Sequence, residues 1–478
     1  MSVGTSMATR AIKVWFWSSL FWLLLGPAIG AFQSLQFLAP AWMDFLSAVM
    51  LPYSKLRIMH TNIVIMGWIV MAFVAAILYI VPQLTRRDLQ YPGLARVAAW
   101  LWNFALLLDV VLIWTGIPGN RWLSIQAAEY AEAPLVCDLI FTVALVMVIV
   151  AVHRTVLLRR VERLYVSVWY LLGGLYTTAV TYLVGNFLVL AFHGEAYQVV
   201  EAWWLHNAVG MIITPLGVGI AYYLIPIASR QPLYSHRLSL VGFWTLMAFY
   251  PGTGLHHFLQ MPMPVWINQF AVISSVLLGI PVLAVVVNFL GTPRGNWKLA
   301  FESFPLRFAA LGTVYYLATC IQGPFQATNT VNWYIHFTEW VQAHAHLALA
   351  GAFTCYGMAA IYYLFPRITG RQIYSRGLAS MTFWIMVIFF MLFYIGFTWS
   401  GVATSASVNL LGNDIYQTLQ VTWIPRLSRT VMGTVMVFGF FAFVYLLLRS
   451  LREGAPFEEG MSEVPELTAE TVEVEGQA

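Results

Sequence analysis

Residues 336–366, HFTEWVQAHAHLALAGAFTCYGMAAIYYLFP, carry His344 and His346 at the head of twenty consecutive residues without a charged side chain. About twenty apolar residues suffice to cross the hydrocarbon core of a bilayer as an α-helix, and histidines at such depth are costly and functional by default. Residues two apart on a helix are turned by about 200°, so His344 and His346 face nearly opposite sides. One helix can therefore serve two cofactors.

The rest of the chain extends this pattern. With 60% hydrophobic residues, 9% charged ones and a mean hydropathy of +0.76, it lies far from a soluble domain, where about a quarter of residues are charged. Apolar runs predict twelve spans, near 12–36, 56–82, 97–117, 134–153, 164–192, 201–228, 237–258, 264–290, 305–323, 335–366, 378–400 and 428–448. The fold class is an all-α polytopic membrane protein. The first run is too long for a cleavable signal and no small-residue cleavage site follows it. No soluble domain, sequence repeat or phosphate-binding loop interrupts residues 1–452, read as one membrane domain. Residues 453–478 contain eight glutamates and no Lys or Arg, the composition of a disordered acidic tail. Cys137, Cys320 and Cys355 form no CxxC or CxxCH motif, so the chain attaches no c-type haem of its own.

Of the 24 basic residues, 19 fall at the termini or in loops after even-numbered spans. Lys55, Arg57, Arg121, Arg426 and Arg429 are on the other side. The positive-inside rule then makes both termini cytoplasmic. The net charge of +4 is a topology signal, and no basic stripe points to nucleic acid.

This topology brings six histidines, His60, His206, His256, His257, His344 and His346, to the outer half of the membrane from four different helices. Two flat macrocycles flanking the tenth span would each take one of its imidazoles, and His60 could complete a six-coordinate iron from the far side. The other haem would then be five-coordinate. His206, His256 and His257 suit a third metal. Imidazole serves copper, zinc and iron, and a three-histidine site lacking carboxylate and thiolate matches copper well. Neighbouring residues on an ideal helix are about 100° apart, so His256 and His257 need a distorted helix, which Pro251, Gly252 and Gly254 offer. A lone intramembrane histidine is more often a hydrogen-bonded core residue or part of a substrate path, and His153, His193, His236 and His336 are read that way.

The stretches LRIMH ending at His60, EYAEAP at 129–134, WWLHNAVG around His206, PLYSHRLSL, Tyr250 before the His256/His257 pair, and HFTEWVQAHAH ending at His346 resemble, in order and spacing, the catalytic subunit of cbb3-type haem-copper oxygen reductases. The resemblance implies a twelve-helix architecture with a low-spin haem b on His60 and His346. It also implies a high-spin haem b3 on His344 and copper on His206, His256 and His257. It further implies a covalent link between Tyr250 and His206, a calcium ion near Glu129, and reduction of O2 to water with proton uptake from the cytoplasm. The partners implied are membrane-bound c-type cytochrome subunits in a bacterial inner membrane. A phenol at position 250 could give one electron and one proton as the O–O bond breaks; taken alone, Tyr250 would read as a packing aromatic.

Arg57, Arg426 and Arg429 break the inside bias, and guanidinium groups pair well with carboxylates such as haem propionates; headgroup contact is the ordinary alternative. Asp109 and Asp138 are intramembrane acids, either hydrogen-bonded or on a proton exit path. Tyr222, Tyr223, His236 and Ser239 flank the loop where the family has its proton channel. Here the chain departs from the family, with His236 where tyrosine is expected, Gly242 where histidine is expected and Glu339 where aspartate is usual. Two other readings remain. A nitric oxide reductase would hold non-haem iron in place of copper; GTGLHH and HAHLALAGAF lean that way, but HNAVGMIITPLGVG lacks the glutamate which that family supplies and which iron favours. A cofactor-free transporter with histidine relays is the third.

Overall fold

A computed structural model describes residues 6–39, 45 and 49–457; the acidic tail beyond Phe457 lies outside the described residues. The twelve expected spans are all helical. They comprise α1 (Met7–Leu38), α2 (Tyr53–Thr85), α3 (Pro92–Thr115), α4 (Leu135–Leu157), α5 (Val166–Asn186), α6 (Gly194–Ser229), α7 (His236–Phe249), α8 (Val265–Gly291), α9 (Phe304–Gln326), α10 (Glu339–Thr369), α11 (Arg376–Leu410) and α12 (Trp423–Glu453). Eleven of these are long and apolar enough to cross a bilayer.

The seventh is the exception. α7 stops at Phe249 after 14 residues and continues as two 3₁₀ turns, Tyr250–Gly252 and Gly254–Phe258. Pro251 withholds a backbone donor and two glycines follow it, so the α-helical ladder ends where the metal-ligand candidates begin.

Three helices form the interior of the bundle. In their most apolar windows α2, α6 and α10 are 78%, 94% and 89% buried, whereas no other spanning helix exceeds 50%. These are the helices carrying His60, His206, His344 and His346. The outer helices turn side chains such as Trp100, Phe104 and Leu107 of α3 away from the protein, as an apolar solvent permits.

Departures from α geometry cluster beside the histidines. Two of the three π-helical segments among the described residues, a geometry often found at functional sites, start within three residues of a ligand candidate, at Ile63–Ile69 on α2 and Leu347–Phe353 on α10. The two irregular regions are tied together, because Trp68 Nε1 donates to Thr354 Oγ1 at 3.0 Å and Thr354 in turn donates to the Leu349 carbonyl. On α6 the helix loosens at Met211–Ile212, one turn past His206. Pro215 has no N–H to offer the Met211 carbonyl. Thr177 of α5 supplies the missing donor at 2.6 Å.

Candidate metal centres

His206, His256 and His257 converge. One ligating atom from each lies within 4.8 Å of the others, and among the described residues this is the only such group of three His, Cys, Asp or Glu side chains. Gly254 makes the approach possible, since a Cβ there would stand 2.6 Å from the Ala202 carbonyl oxygen and 2.7 Å from Trp203 Cα. Only a bare backbone lets the turn holding the histidine pair lie against α6. Ser275 of α8 orients His256. Its hydroxyl donates to the Ala271 carbonyl at 2.7 Å and accepts from His256 Nδ1 at 2.7 Å, which leaves Nε2 with its lone pair free for a metal. His206 Nδ1 and His257 Nε2 face each other at 3.3 Å. Two such nitrogens so close share either a proton or a cation. Tyr250 stands beside this group, its ring 5.3 Å from that of His206, in a space that exists because residue 210 has no side chain. A Cβ at Gly210 would run into the Tyr250 ring.

His60 and His346 face one another with ring centres 6.2 Å apart and planes 20° from parallel. Two metal–nitrogen bonds of roughly 2 Å each would use about 4 Å of that, and the remainder is the radius of two imidazole rings. Each Nδ1 donates to a backbone carbonyl, His60 to Gly26 at 2.8 Å and His346 to Gln342 at 2.8 Å, so both Nε2 lone pairs are left for an axial bond. Gly30 of α1 leaves room for the His60 ring, which a Cβ would meet at 2.6 Å. His344 leaves α10 on the other side, against Gly323 of α9, with a buried Nδ1 that has no hydrogen-bond partner among the described residues. The spacing and the free nitrogens of these residues fit a bis-histidine iron on one side of α10 and a singly held iron on the other.

The three arginines are all paired to protein carboxylates. Arg57 binds Glu132 and lies 3.9 Å from Glu129. Glu132 is buried in the loop before α4, which pushes its carboxyl above the usual glutamate range while Arg57 pulls the other way. Arg426 donates to Glu339 at 2.8 Å, and Arg429 is 3.9 Å from the same oxygen. One carboxylate thus faces two buried guanidiniums, and Arg426 Nη1, Arg429 Nε and Arg429 Nη1 have no hydrogen-bond partner among the described residues. Arg429 lies over the Phe397 ring at 4.5 Å, and Phe397 stacks on His346 at 4.9 Å. An unmet positive charge next to an axial-ligand candidate suits a porphyrin carboxylate.

Glu129 is half exposed; its amide donates to Glu201 Oε1 at 3.1 Å, and its carbonyl accepts from Trp204. Asp109 and Asp138 are fully buried, Asp109 accepting from Asn62 at 2.9 Å and Asp138 from Tyr182 at 2.6 Å. Ser275, Gly30 and Gly210 shape the centres without having stood out in the sequence, and Gly254, expected there only as a source of helix distortion, also permits the close approach to α6. For Gly210 and Gly254 the available signal was a glycine a turn after, or just before, a candidate histidine; Gly30 and Ser275 gave none.

With this geometry in view, comparison with known proteins is direct. Residues 10–435 match the family described as cytochrome C and quinol oxidase polypeptide I. The chain belongs to that family, the haem-copper oxidases' subunit I, and is a membrane oxidoreductase. It is 27% identical over 473 residues to the cbb3-type cytochrome c oxidase subunit CcoN1 of Stutzerimonas stutzeri, covering 96% of this chain and 98% of that one. It is 28% identical over 382 residues to a cytochrome c oxidase subunit 1 of Rhodobacter capsulatus, covering 78% and 71%. A nitric oxide reductase polypeptide of Stutzerimonas stutzeri is more distant, 24% identical over 434 residues, covering 84% and 87%. A solved heme-copper terminal oxidase dimer shares the fold, with a TM-score of 0.75 at 15% identity over 96% of this chain and 87% of that one.

Proposed function

We propose that this chain is the catalytic subunit of a terminal oxidase that reduces O2 to water, taking electrons from a membrane-bound c-type cytochrome partner on the outer face and protons from the cytoplasm. His60 and His346 would hold a low-spin haem b, His344 a high-spin haem b3, and His206, His256 and His257 copper. The observation that carries this reading is the three-histidine group with no carboxylate in it, a donor set that favours copper over non-haem iron. When bound, the two haems and the copper supply the electrons and the site at which O2 reacts.

The chain's own residues have distinct tasks. Ser275, Gly26 and Gln342 fix which nitrogen of His256, His60 and His346 faces the metal. Arg426 and Arg429, and Arg57 through the guanidinium face it does not spend on Glu132, would bind the carboxylates of the porphyrins. Tyr250, close against His206, would give a proton and an electron at the reacting centre; a covalent bond to His206 belongs to the same proposal. A calcium ion beside Glu129 does too, with Glu201 and the unpartnered oxygen of Glu132 nearby. The excess of basic residues on one side supports a bacterial inner-membrane location with both termini cytoplasmic.

Oxygen and nitric oxide consumption by the purified complex, measured side by side, tests the reaction. Fast O2 use supports the oxidase; rapid NO reduction without appreciable O2 use would assign the chain to the nitric oxide reductases instead.

A further inference from the structure

Gly242 lies within α7, three residues beyond Ser239, and a Cβ at 242 would stand 2.9 Å from the Tyr170 hydroxyl and 3.2 Å from Val285 Cγ2. The hydroxyl of Tyr170, carried by α5, occupies the space into which a side chain at 242 would project. Tyr170 is 0% exposed, and its oxygen makes no hydrogen bond of normal geometry among the described residues. A phenylalanine would fill the same place without burying a hydroxyl, which here interacts with the Tyr222 side chain.

The surroundings form a polar level across four helices. The Tyr170 ring lies 5.2 Å from that of Tyr222 on α6, whose hydroxyl accepts from Asn288 of α8 at 3.3 Å. Ser239 of α7, three residues before Gly242, is buried, its hydroxyl donating to the His236 carbonyl at 2.7 Å. Tyr316 of α9 interacts electrostatically with both Tyr170 and Tyr250. Tyr170, Tyr222 and Asn288 thus form a buried polar group on three helices, packed against α7 at Gly242.

We propose that the Tyr170 hydroxyl is a proton-relay group that replaces, from a neighbouring helix, the histidine expected at position 242. The inference rests on the oxidase reading above, because O2 reduction is what demands protons at Tyr250. Tyr170 accepts a proton arriving from the Ser239 side and yields one toward Tyr316. Its own proton count is unchanged after each passage, and no electron moves.

The test uses the purified complex, first checked for haem absorption and O2 consumption; failure there sinks the oxidase reading and with it the relay's premise, whereas the variants below test the relay itself. Proton uptake is then followed with a pH-indicator dye when the fully reduced protein is mixed with O2. Tyr170→Phe is expected to slow uptake and turnover at least tenfold, with an unchanged visible spectrum and an unchanged KM for O2. Adding Gly242→Ser to the Tyr170→Phe background returns a hydroxyl to the same space and should restore most of the rate. Full-speed uptake in Tyr170→Phe overturns the proposal, as does a slow variant that serine does not rescue. If Tyr170→Phe does not assemble, Gly242→Ala displaces the hydroxyl without deleting it. Slowed uptake supports the relay and a normal rate overturns it.

Discussion

The Ser275 hydroxyl stands 2.7 Å from His256 Nδ1 while spending its own proton on the Ala271 carbonyl. The imidazole is therefore locked with Nδ1 protonated and Nε2 open. Groups that orient a metal-bound histidine typically contribute about 10–100-fold in metal affinity. Ser275→Ala should lower copper affinity by that order, read by competition with a chelator, and leave haem content at the wild-type level. Unchanged copper affinity would show that the hydroxyl has no orienting role.

Gly254 decides whether the histidine pair reaches α6 at all. Its missing Cβ would sit within 3 Å of backbone atoms at Ala202 and Trp203, which cannot swing aside as a flexible side chain would. Overpacking of this kind costs about 1–3 kcal/mol. Gly254→Ala should produce a folded complex with both haems but little copper. Normal copper by elemental analysis would count against the close approach.

On the opposite side of the bundle, Gly30 makes room for the His60 ring. Gly30→Val should push the imidazole out of line with His346 and convert the low-spin haem signal to high-spin in the visible and electron paramagnetic resonance spectra. The reading of the His60/His346 pair fails if the low-spin signal survives unchanged.

Glu339 neutralises one of two buried guanidiniums, Arg426 and Arg429. Removing one partner of a buried ion pair usually costs about 3–5 kcal/mol. Glu339→Gln should lower the thermal midpoint clearly, and Glu339→Asp should lower it much less. Equal midpoints in Glu339→Gln and the parent protein would mean that the charges are met elsewhere.

The bundle was legible in the sequence because lipid leaves a plain signature, some twenty apolar residues per pass, and all twelve spans proved helical. The six histidines were legible because imidazoles are scarce in apolar helices and fell at one depth. What hydropathy does not encode is how closely two backbones approach. Gly254 and Gly210 act through contacts with α6 and α7 that only the packed structure supplies, and Ser275 reaches His256 from a different helix. Pro251 signalled a distortion at the end of α7, but the conversion to 3₁₀ turns from Tyr250 onward depends on the turn seating against α6 and α8. Arg57 was expected beside a cofactor; its Glu132 partner lies 75 residues away, a pairing that no local pattern announces.

The most direct measurement is the metal and haem content of one purified sample, by elemental analysis and pyridine haemochrome assay. Two haems b and one copper per chain, with no iron beyond that in haem, are the predicted result. A third iron in place of copper, or a chain without haem, would contradict the account.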